Sequence, residues 1–172
     1  MIVEMLAGTD RRSIGAADQV AERIAVDQAL FDEVFAAIFL DDPVLRMRAA
    51  DAVEKASRTH PERLGPHKMA LLNDMAAIDQ QEVRWHLAQL LPRLPLDPEE
   101  KRRAAAVLKT FLGDKSVIVR VNTLEALTLL ARGDEEMEAE MYRRLLDAAE
   151  SGAPAERARA RKLLKAYHRK TK

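Results

Sequence analysis

The side chains of this 172-residue chain best suited to chemistry are four histidines, one tryptophan and an arginine that recurs. His60, His67, His86 and His168 fall in separate segments. Glu82 and His86 are four apart, so a helix would put them on one face within reach of a shared metal. The run is Glu-Val-Arg-Trp-His, however, and lacks the second imidazole of the His-Glu-x-x-His zinc pattern. Ser13, Ser57, Ser116 and Ser151 have no neighbouring histidine to activate them. The glycines are isolated and make no phosphate-cradling loop. The chain has no cysteine, which excludes thiol nucleophiles, disulfides and cysteine-ligated metals. These residues predict no catalytic, metal-binding or cofactor-binding site, and a protein that is not an enzyme.

The arginine is more informative. Leu45-Arg46-Met47-Arg48, Val83-Arg84-Trp85-His86, Val119-Arg120-Val121-Asn122 and Glu156-Arg157-Ala158-Arg159 align, with arginines at intervals of 38, 36 and 37 residues. An aspartate stands five or six residues before the first three: Asp41, Asp79 and Asp114. Side chains recurring at such a period belong to stacked units, each too small to bury its own apolar face.

The elements that must position them are helices. Asp42-Pro43 and Asp97-Pro98-Glu99-Glu100 are helix starts, the latter a capping box. Pro61 and Pro154 open further segments, and Gly113, Gly133 and Gly152 suit left-handed C-terminal caps. Hairpin turns and period-two β-branched runs are missing, so the fold class is all-α. Apolar periodicity predicts helices over 17–25, 28–40, 43–58, 66–78, 81–94, 98–112, 116–132, 135–150 and 154–168. Residues 1–16, with Gly8-Thr9-Asp10-Arg11-Arg12-Ser13, read as a loop or arm, and 17–172 as a single domain.

An Asp followed by aliphatic-Arg at the start of a pair's second helix resembles the HEAT-repeat family in its short bacterial form, over roughly residues 28–168. The resemblance implies a short right-handed α-α superhelix of about four helix pairs plus an N-terminal helix. It also implies a structural ladder of Asp41, Arg46, Asp79, Arg84, Asp114, Arg120 and Arg157, an aspartate of one repeat bonding backbone or arginine of the next. HEAT-like DNA glycosylases line a concave cleft with tryptophans and place an aspartate one turn beyond one of them. Here Gln89 follows Trp85 by four and cannot replace a carboxylate, and Met47, Val121 and Ala158 at the equivalent positions are apolar. Trp85 is therefore expected in the core.

The position after it is polar in every copy: Arg48, His86, Asn122 and Arg159. With Gln89 one turn on from Trp85, these residues are expected on a concave second-helix face that binds a protein partner. The expected function is thus a non-enzymatic scaffold or adaptor.

Charge is balanced at 28 basic and 28 acidic side chains but is segregated. From Ala155 on there are eight basic residues against Glu156 alone, net +7, leaving −7 elsewhere. Nucleic-acid binding through residues 155–172 is the alternative function, with HEAT-like DNA glycosylase activity ranked after it, and a solubilising cap is the competing account of that charge. No apolar run approaches the ~20 residues that span a bilayer. The opening Met1-Ile2-Val3-Glu4 lacks the basic flank of a secretory signal, so a cytoplasmic location without membrane attachment is expected.

Overall fold

The computed structural model describes residues 1–10 and 12–170, without the side chains of 168–170. Arg11, His168, Arg169, Lys170 and Lys172, all considered above, lie outside the described side chains. Among the described residues the chain is all-helical. Its helices are α1 (Ala17–Val26), α2 (Gln28–Ala37), α3 (Pro43–Thr59), α4 (Lys68–Leu72), α5 (Gln81–Leu90), α6 (Pro98–Phe111), α7 (Val117–Leu130), α8 (Glu135–Ser151) and α9 (Pro154–Lys170). Short 3₁₀ turns cover Ile2–Leu6, Pro61–His67, Met75–Ala77 and Leu91–Arg93.

Local chemistry accounts for most boundaries. Asp42 accepts from the backbone N–H groups of Val44 and Leu45, with Pro43 in the first turn of α3. Asp97 accepts from Glu99 and Glu100 while the Glu100 carboxylate takes the Asp97 N–H, completing the capping box of α6. Asp27 and Asp134 cap α2 and α8 in the same way. The helix expected over 66–78 is instead a 3₁₀ turn, the five-residue α4 and a second 3₁₀ turn. Pro66 lies in the first of these and Asn73 leaves helical geometry after α4, yet Leu64, Leu71, Leu72 and Met75 are all buried. Tighter turns deliver the same apolar side chains to the core. Of the three glycines expected in left-handed caps, only Gly133 has a positive φ, at 79°.

The expected single domain resolves into two compact units, Met1–Pro95 and Leu96–Lys172. In the first, α1 packs on α3 and α3 on α5, with α2 against both α1 and α3. In the second, α7 packs on α6, α8 and α9, and α8 lies along α9. Ile2 and Leu6 are buried, and the turn they form packs on α1, α2 and α3.

Candidate functional site

Arg48 does not face a partner. Its guanidinium donates to the carbonyls of Leu6 (3.0 Å), Ala7 (2.8 Å), Asp10 (3.1 Å) and Ser13 (2.9 Å), and the residue is 5% exposed. It is the anchor of the N-terminal segment. The helix α3 touches α1, α2, α5 and the first turn, so more than one stripe of its surface is buried and the polar register points inward. Gly8 and Gly15 let the chain wrap the guanidinium. A Cβ at Gly8 (φ 154°) would lie 2.4 Å from Arg48 Nη1, and one at Gly15 (φ 57°) 3.0 Å from the same atom.

His86 is also inward, at 6% exposure. Its Nδ1 lies 3.1 Å from Gln89 Oε1, and its Nε2 is 3.8 Å from Asp51 Oδ1. Burial pushes its pKa below the ordinary histidine value, against the opposing pull of Asp51 and Glu54. Asp51 bonds Lys55 (2.7 Å), which also reaches Asp18 on α1 (2.5 Å). A polar chain Asp18–Lys55–Asp51–His86–Gln89 thus runs across α1, α3 and α5. Trp85, expected in the core, is half-buried on the flank of α5, its ring 5.5 Å from that of His86. The tryptophan and histidine registers have exchanged their expected places.

The ladder arginines stitch their surroundings in different ways. Arg46 donates to the carbonyls of Ile38 (3.1 Å) and Leu40 (2.8 Å) and to Gln80 Oε1 (3.2 Å), with Asp41 at 3.8 Å. Arg84 pairs with Asp79 at 3.0 Å. Arg120 donates to the Asp114 carbonyl (2.6 Å) and to both oxygens of Glu156 (3.0 and 2.9 Å). Asp114 accepts from the Ser116 N–H. Arg157, half-buried, makes no side-chain hydrogen bond or ion pair among the described residues. In these contacts each aspartate lies in its own arginine's repeat. The forward links, 34 and 36 residues on, fall instead on Gln80 and Glu156. Sequence reasoning missed both; the signal was an amide or carboxylate at the start of the following helix.

It also missed Glu54, which is 1% exposed on α3. Arg93 reaches it at 2.5 Å and Arg58 at 2.6 Å, and Arg93 also donates to the Glu54 carbonyl and to Ser57 Oγ. Burial alone would raise this carboxyl's pKa, but hydrogen bonds from the two guanidinium groups prevail and hold it below the usual range. His67 is a packing residue, stacked on Phe35 at 4.0 Å and bonded to Asp32 at 2.7 Å.

Open surface exists elsewhere. Between α1 and α3 lies a cleft of about 750 Å³, counting its solvent-filled mouth, lined by Asp18, Ala21, Glu22, Ala25, Lys55, Ala56 and Thr59. In the second unit, α7 exposes Ile118 (54%) and Leu129 in the same stripe as half-buried Asn122 and Glu125. Asn122 bonds the Ile118 carbonyl of its own helix, and Arg159 on α9 pairs with Glu125. Among the described residues, no group of three acidic or histidine side chains is placed to hold a metal.

The class defined so far is an all-α chain in which, among the described residues, no helix is long and apolar enough to cross a membrane. No family model and no curated protein matches the sequence. The fold is similar to that of an engineered protein solved as a structural-genomics target, with TM-score 0.61 and 18% identity over 92% of this chain and 74% of that one.

Proposed function

We propose that this chain is a non-enzymatic HEAT-like helical-repeat scaffold that binds a protein partner on the faces of its second helices. The supporting observation is the cleft between α1 and α3, whose floor is Ala21, Ala25 and Ala56 and whose rim is Asp18, Glu22, Lys55 and Thr59. An alanine floor lets a partner's backbone approach closely. The charged rim is already oriented, because Lys55 is held between Asp18 and Asp51. Alternate helices packed side by side, as α1, α3 and α5 are, offer the extended surface on which repeat proteins dock partners. The contact residues are accordingly those of the cleft in the first unit and Asn122 with Arg159 in the second. Arg48 and His86 belong to the interior.

The test is photocrosslinking from a reactive side chain at position 22, with Thr59→Arg as the disrupted control. Both positions are exposed, so the melting temperature should hold. Crosslinked partners should disappear with a Thr59→Arg block. An identical set of partners with and without it would overturn the assignment.

A further inference from the structure

The outward side of α9 carries positive charge that the fold leaves unneutralised. Where α9 meets α7, charges are matched: Glu156 is taken by Arg120 and Arg159 by Glu125. Arg157, Arg161, Lys162 and Lys165 form no ion pair among the described residues, and the last three are exposed. This holds although α9 lies along the acid-rich α8. On α8, Glu140 is taken by Lys109 and Arg144, and Glu138 accepts from the Gly133 N–H. Arg157, Arg161 and Lys165 recur every four residues, a spacing of about 6 Å along a helix. The exposed apolar side chains of α9 are Pro154, Ala155, Ala158 and Ala166, with no exposed leucine or aromatic among its described residues.

That combination discriminates between partners. A protein interface draws its energy from aromatic or aliphatic anchors in a desolvated centre, and α9 offers none. Counterion release from a phosphodiester backbone needs no such anchor, only a row of long cations. We propose that α9 binds the phosphate backbone of double-stranded nucleic acid through Arg157, Arg161, Lys162 and Lys165. The contact is to phosphates alone and is therefore independent of sequence. It does not depend on the α1–α3 cleft.

The experiment is fluorescence anisotropy of a labelled 20-base-pair DNA duplex of mixed sequence with the full chain. Four phosphate contacts predict binding at 50 mM salt that weakens about a hundredfold by 200 mM. Arg161→Glu/Lys165→Glu should weaken binding at least tenfold at 50 mM with an unchanged circular-dichroism melt. A duplex of different sequence should bind within twofold. Absence of binding at 50 mM, or an affinity unaffected by the double substitution, would overturn the proposal. So would competition by polyglutamate as effective as by unlabelled duplex at equal charge, which would assign α9 to acidic proteins.

Discussion

Arg48 and Arg159 occupy the same register in the first and last copies of the repeat, and the fold uses them in opposite ways. Arg48 is held by the main-chain carbonyls of Leu6, Ala7, Asp10 and Ser13 in the first unit. Arg159 keeps a side chain 31% exposed and meets one carboxylate, Glu125, in the second. The residue type and its place on the helix are the same. What differs is the segment lying opposite, a series of main-chain carbonyls in one case and a neighbouring helix surface in the other. Register therefore fixes the direction in which a side chain leaves its helix, while the adjoining element decides whether it meets solvent.

The sharpest way to break this comparison is to truncate both residues. Arg48→Ala should destabilise the first unit by about 3 kcal/mol, because one buried and three part-buried carbonyl contacts lose their donor together. Arg159→Ala, breaking a partly solvated pair, should cost less than about 1 kcal/mol. Urea denaturation would read both, and hydrogen exchange should place the first loss in residues 1–15. Equal effects would show that the two sites are energetically alike.

A second pair of sites extends the contrast. Glu54→Ala should cost about 3 kcal/mol, since Arg93 is left without its buried counter-charge. Glu156→Ala, at a more hydrated pair, should cost about 1 kcal/mol. Because the Glu54 carboxyl is held below its ordinary value, the stability it supplies is present above the unfolded-state pKa near 4.5 and is lost as pH falls through the folded value. Acid titration of the melting temperature should therefore be shallower below pH 4.5 in Glu54→Gln than in the unsubstituted chain.

Gly8→Ala probes the wrap around Arg48. Its added methyl would sit 2.4 Å from Nη1, so a loss of about 1–2 kcal/mol is expected. In an Arg48→Ala background the clash should vanish while the backbone strain at φ 154° remains, a coupling that a double-mutant cycle measures directly. The smallest effect concerns His86, whose pKa is lowered by burial. The neutral ring is favoured by folding, so stability should decline as pH falls below 6.5, and His86→Gln should flatten that slope. A slope unchanged by the substitution would remove His86 from the buried chain of polar groups.

Helix existence and starting points were legible in the sequence because they rest on local chemistry. Asp42-Pro43 and Asp97-Pro98 with Glu100 are complete signals within four residues. The recurring arginine likewise marked side chains that tie segments together, as Arg46 and Arg120 do. What escaped was anything set by non-local packing. Nothing near Arg48 in the sequence says that residues 6–13 will cover it, and nothing near Glu54 points to Arg93. The exchange of Trp85 and His86 has the same origin: a helix with neighbours on several sides buries more than one stripe, and periodicity alone does not say which flank is closed. The break-up of 66–78 was written in Pro66 and Asn73, but the leucine spacing concealed it.

The enclosure of Arg48 also orders events during synthesis. The opening segment leaves the ribosome well ahead of its anchor, with Ser13 and Arg48 separated by 35 positions. Until α3 has been made, Ile2 and Leu6 can settle only on α1 and α2, and the carbonyls that Arg48 will hold stay exposed to water. A pause in translation before the arginine codon would lengthen that exposure, and one after it would let the amino-terminal turn lock into place.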